Sequence, residues 1–148
     1  IDALIDRQDS VASTGFNAPL TYVDETAARG GSAAAKHITK AITLLEPAVG
    51  LNIAFAANRR KGTDIQVYFR TGTSDETLSD KGFELTPEVS NNPEDDDPFI
   101  FRDYRYLPGG QGGQLEEFTQ FQLKIVLRST NRGIAPAIKD LRVIALSV

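Results

Sequence analysis

From about residue 34 onward the chain alternates apolar and polar side chains with a period of two. Ile38, Lys40, Ile42 and Leu44 alternate with His37, Thr39, Ala41 and Thr43, and Leu51, Ile53 and Phe55 with Asn52, Ala54 and Ala56. Ile65, Val67 and Phe69 alternate with Gln66, Tyr68 and Arg70. Phe121, Leu123, Ile125 and Leu127 alternate with Gln122, Lys124, Val126 and Arg128. Successive strand side chains leave opposite faces of the pleat, so each stretch predicts a strand with one greasy and one mostly wet face. Sheets with one wet face are usually antiparallel. Residues 58–63 have the turn chemistry of a hairpin loop, and residues 46–50 and 129–133 separate other strand pairs. The last segment, residues 137–148, is apolar on both faces, which predicts a central strand or one that closes the fold.

Residues 1–33 break the pattern. Residues 16–23 could supply one short strand, although Pro19 keeps it at an edge or outside a sheet, and residues 27–32 read as a flexible connection. The expected architecture is therefore all-β: an antiparallel β-sandwich, jelly-roll-like, over residues 34–148, preceded by an extended arm over 1–33. The arm lies on the body or reaches a neighbour. A chain of 148 residues suits one domain with its own core. It opens at Ile1 without a single Met, as expected of a processed or excised piece of a longer product.

Composition narrows the chemistry. With no Cys there is no disulfide framework, thiolate metal site or cysteine nucleophile. A single His, His37, excludes a mechanism with two imidazoles and reads as a partly exposed strand residue. No apolar run approaches the ~20 residues of a membrane span. The net charge of −4 is unevenly spread: residues 75–97 hold nine acids against Lys81 alone, a balance of −8, and the remainder holds fifteen bases against eleven acids. Overall acidity argues against nucleic-acid binding, which needs a basic face.

Few motifs carry chemistry. Asp95, Asp96 and Asp97 are weak candidates for a Ca²⁺ site, because their spacing lacks the periodicity that wraps one ion; a solvated acidic loop is the expected reading, and no cofactor is implied. Arg59, Arg60 and Lys61 form a basic turn that could meet an acidic neighbouring subunit. Arg102, Tyr104 and Tyr106 alternate onto one side of a strand, a composition shared by binding hot spots and sugar-stacking platforms, and equally by the wet face of a core strand. Glu116, Glu117 and Asp103 could form a glycosidase pair only if held across a cleft. The G-x-S-x-G elbow is absent, and the Gly-rich residues 108–113 lack the Lys-Ser/Thr pair of a phosphate loop. These readings predict a protein that is not an enzyme.

Three ordered blocks carry a resemblance. Residues 35–44, A-K-H-I-T-K-A-I-T-L, are similar to a K-Y-I-T-K-x-V-x-L strand. Residues 51–55 with K-G-T-D-I-Q-V-Y-F-R at 61–70 are similar to L-x-V-x-x-x-A-x-x-x-x-G-T-D-I-x-V-Y-Y-R. F-Q-L-K-I-V-L at 121–127, through Asn131, Pro136 and Ile138 to D-L-R-V-I-A at 140–145, completes the series. Together they resemble virion proteins of contractile-tailed bacteriophages, cyanophages especially, with His37 standing where that family more often has Tyr. The resemblance implies a tail or baseplate structural domain, assembled in the host bacterial cytoplasm. Its partners would be other virion proteins and further copies of itself, with no nucleic acid or membrane and no catalytic residues to transfer. The alternative is a carbohydrate-binding jelly roll, Ca²⁺-assisted and receptor-facing, built on Tyr104, Tyr106 and the acidic loop.

Overall fold

A computed structural model describes residues 24–33, 35–88, 92–110, 112–130 and 133–147. They form seven antiparallel strands: β1 (Lys36–Ile38), β2 (Ile42–Asn58), β3 (Thr63–Gly72), β4 (Glu84–Leu85), β5 (Arg102–Tyr106), β6 (Phe118–Ser129) and β7 (Ala137–Ser147). A single 3-10 turn, Leu78–Asp80, is the only helical element among the described residues. The sheet runs β4-β3-β6-β2-β5, with β1 on β6 and β7 on β2.

The sheet curls into two layers because β2 belongs to both. Its first residues pair with β6, Ile42 opposite Phe121 and Thr43 opposite Gln120. Its last residues pair with β5 on one edge and β7 on the other, Ile53 lying opposite both Tyr106 and Val143. Residues 46–50, expected to separate two strands, are instead where β2 changes partners and continues. Pro47 falls between Thr43 and Ala48, where the register with β6 shifts, so its missing N–H costs no ladder pair there. The expected strand over 37–44 is interrupted at 39–41, and Thr39 bridges the gap by donating its N–H to the Leu123 carbonyl and accepting the Leu123 N–H at Oγ1.

Residues 58–63 are not a hairpin loop. β2 and β3 do not pair; the turn carries the chain from one layer to the other, and the connection from β6 to β7 does the same. On one side Thr86 N–H donates to the Val67 carbonyl and Glu88 bridges Tyr106, so the layers are joined there. On the other side β1 and β7 have no further strand beside them among the described residues.

The core between the layers holds Leu51, Ile53 and Phe55 of β2, Ile65, Val67 and Phe69 of β3, and Phe121, Leu123 and Ile125 of β6. Each fully buried side chain of this kind contributes about 1.5–3 kcal/mol. β7 is an edge strand, neither central nor closing. Asp140 takes a left-handed backbone (φ 58°) where the β2–β7 register shifts between Ala54 and Ala56. That bulge puts Ile138 on the same side as Leu141, Val143 and Ala145, all packed on the core, while Ile144 and Leu146 face outward.

The expected wet face of β6 is dry at its centre. Lys124 and Val126 are fully buried under Asp24–Ala33 and Phe83, with Ala33, Tyr68, Phe83 and Val126 forming a second small core. The Lys124 ammonium lies 3.0 Å from Glu25 Oε1, donates to the Glu25 carbonyl at 2.5 Å, and sits 4.5 Å from the Phe83 ring centroid. Glu25 Oε2 accepts the Ala33 N–H at 2.7 Å, and Lys36 lies 3.6 Å from Oε1. Gly31 (φ 87°) passes so close to this carboxylate that a Cβ there would collide with it. Arg70 fastens the same cover, donating to the Ala28 and Lys81 carbonyls and to Gln122 while lying over Phe83. Residues 24–33 therefore lie on the body, and the stretch 27–32 is tied down; residues 1–23 of the expected arm lie outside the described residues.

Burial works to raise the Glu25 pKa, but the Ala33 N–H and the two ammonium groups outweigh it and hold the carboxyl below its ordinary value. Burial pushes Lys124 down against the opposing pull of Glu25. Removing one member leaves the other charged and dry, so Glu25→Ala or Lys124→Ala should cost about 3–5 kcal/mol in urea unfolding, and Glu25→Leu with Lys124→Met should recover most of it. Because the unfolded chain binds the Glu25 proton more readily, stability should fall as pH drops below about 4.5 toward the lowered folded value. That portion of the acid transition should be missing from Glu25→Gln. A chain starting at Gly31 should melt markedly lower than one starting at Asp24.

Candidate functional site

The two charge motifs of the sequence meet at one pole of the sandwich. Asn58, buried at the end of β2, donates through Nδ2 to the carbonyls of Asp97 and Ile100 at 2.8 Å, with the Asp95 carbonyl at 3.3 Å. It thereby gathers the acidic loop against the basic turn. The Asp95 N–H donates to the Arg59 carbonyl, and the Lys61 N–H to Asp96 Oδ1 at 3.2 Å.

Arg59 is largely buried. Its guanidinium donates to the Asn92 carbonyl at 2.6 Å and to Glu88 at 3.2 Å, lies 3.8 Å from Asp64, and rests 5.3 Å from the Tyr104 ring centroid. Burial alone would lower its pKa; the oxygens of Tyr104, Glu88, Tyr106 and Asp64 outweigh that and raise it. Arg59 therefore has acidic partners, Glu88 and Asp64, within its own chain. Arg60 turns its carbonyl to Thr63, which donates through both N–H and Oγ1. Lys61 is exposed beside Gly62 (φ 85°), whose carbonyl accepts from Thr130 and joins the two cross-layer connections.

The three aspartates diverge. Asp95 Oδ2 pairs with Arg102 at 2.8 Å while its Oδ1 accepts the Asp97 N–H; Asp97 Oδ1 accepts the Phe99 N–H, and Asp96 faces Lys61. The Asp97 N–H and Arg102 hold the Asp95 carboxyl below its ordinary pKa. Each carboxylate is committed to loop geometry, and no group of three or more His, Asp or Glu capable of holding a metal occurs among the described residues.

Tyr104 and Tyr106 are not on an exposed face. Both rings are buried and stack on Phe55, at centroid distances of 6.0 and 5.3 Å, and the Tyr104 hydroxyl donates to the Pro93 carbonyl. Burial raises both phenol pKa values. Only Arg102 of that trio is exposed. The depression beside Asp103 is lined by Asn52, Ala54, Arg105, Arg142 and Ile144 and includes neither Glu116 nor Glu117. Asn58 and Asn92 organise this pole without any motif to announce them; Asn92 accepts the Arg105 N–H and donates to Glu88.

A different surface remains open. Between β1 and β7 a cavity of about 420 Å³ reaches the core-facing residues Ile125, Leu127, Ile138 and Leu141, with His37 and Lys139 among its lining residues. Elsewhere Leu45 is fully exposed, Phe99 89% exposed and Ile144 59% exposed. No helix among the described residues is long and apolar enough to cross a membrane. No protein-family model, curated protein or solved structure matches this chain.

Asn58→Ala should cost about 0.5–1.5 kcal/mol, since it removes the side-chain donor that gathers the loop carbonyls of Asp95, Asp97 and Ile100. Hydrogen exchange should quicken at residues 95–100 before it quickens in β3 or β6.

Proposed function

We propose that this chain is a non-enzymatic structural domain of a phage virion, associated with the tail or baseplate and acting through contacts with other virion proteins and further copies of itself. The observation that carries the reading is where its polar chemistry goes. Arg59, the acidic loop, Glu25, Lys124 and Arg70 all find partners within the chain, whereas apolar side chains stand outward at Leu45, Phe99, Ile144 and Leu146. Of these, Ile144 and Leu146 stand two residues apart on the outward face of β7, an apolar strip that suits a partner protein. The blocks that resemble tail and baseplate proteins coincide with β1 through β3, β6 and β7, the strands that build the two layers.

A sugar-stacking platform at Tyr104 and Tyr106 has no support, since both rings lie in the core. Paired carboxylates across a groove are likewise missing at Asp103.

Antibody against the recombinant chain should decorate the tail or baseplate of virions from the source of this sequence in immunogold micrographs. Purified particles carrying no label would overturn the assignment. Ile144→Lys, on an exposed position, should change unfolding free energy by no more than about 0.5 kcal/mol while weakening incorporation into particles.

A further inference from the structure

The open side of the sandwich has the geometry of a missing strand. β7 pairs with β2 alone and β1 with β6 alone among the described residues, and the gap between them is lined by Ile125, Ile138 and Leu141 of the layer interior. A segment entering there would find β7's outward N–H and C=O groups on one flank and apolar side chains beneath it. Strand addition needs that combination: a backbone edge for affinity and a greasy floor for alternate side chains. The groove borders Ile138–Leu141, where the Asp140 bulge bends β7, and the regular edge continues from Arg142.

The chain contains a segment of matching pattern. Residues 16–23, which lie outside the described residues, read F-N-A-P-L-T-Y-V: uncharged, with Phe16, Ala18, Leu20 and Tyr22 at alternate positions. A strand that pairs along one edge only tolerates Pro19, whose missing N–H would face away. Such a segment suits a groove whose floor is aliphatic.

We infer that residues 16–23 of one copy add as a strand to the groove between β1 and β7 of a second copy. The second copy is favoured over the same chain by where Glu25 is held. Glu25 is pinned by Lys124 and Lys36 on the outer face of the β3–β6 layer, and the groove opens from the inner face. Packed layers stand about 10 Å apart and a strand advances about 3.3 Å per residue. Rounding the β1 edge in the same chain would use up several of the eight residues meant to fill the groove, whereas another copy's segment arrives without that tether.

This deepens the assembly reading by naming the surface and segment that join two copies. The absence of Cys makes single cysteines clean reporters. Full-length His37→Cys, on the exposed lip of the groove, is mixed with full-length Leu20→Cys and treated with a short bis-maleimide, with circular dichroism confirming that both variants are folded. The expected result is a covalent heterodimer several-fold above the dimer yield of either variant alone, lost when Phe16→Asp is added to the Leu20→Cys chain. A mixture yielding no more than the single variants, or a yield indifferent to Phe16→Asp, overturns the inference. So does linkage only within a chain carrying both cysteines. Crosslinking by a chain that never labels virions would fail the virion role and keep the strand exchange; virion labelling without crosslinking would do the reverse.

Discussion

A lysine ammonium with no access to water must find its compensation inside the protein, and much of this structure follows from that need at Lys124. The strand that carries it supplies Leu123 and Ile125 to the main core from its other face, so the lysine cannot move outward without moving them. The carboxylate that neutralises it comes from Glu25, far away in sequence. Bringing Glu25 there requires the chain to cross the outer face of the sheet, turn through Gly31, and return along β6 as β1. Phe83 and Arg70 close the remaining side. A hydrophobic pair at these two positions would give similar stability; the charged pair adds a requirement for one docking position of residues 24–33.

The same economy governs the charged pole. A buried Arg59 and a loop dense in aspartates would each be unfavourable alone. Together, with Asn58 holding three loop carbonyls, they form a cap over the end of the core whose charges are paired within the chain. Polar groups already committed inside a chain have little capacity left for substrates. What the surface offers instead is apolar and backbone-edged.

Strand identity was legible where alternation is strict. The runs at Leu51–Phe55, Ile65–Phe69 and Phe121–Leu127 have their apolar members in the core as the pattern requires. Pairing was less legible. Turn residues at 58–63 announce a change of direction but say nothing of whether the flanking strands hydrogen-bond to each other, and here they join different layers. Residues 46–50 carry Pro and Gly, yet a strand that exchanges one neighbour for another can absorb both. Residues 99–106 mix aromatic and charged side chains on both faces, so alternation could not assign Tyr104 and Tyr106 to the inside. Lys124 was the least legible of all: on a strand, a lysine between apolar neighbours looks like a solvent-facing residue unless its distant partner is known.

The seventeen-residue β2 has one more consequence. It is held laterally by β6 at its start and by β5 and β7 at its end, so tension along its axis loads hydrogen bonds of both layers in shear rather than peeling them one by one. A chain pulled from either flank of this strand would yield only when rows in both layers slide together, a mechanical stiffness that comes from connectivity and requires no covalent cross-link.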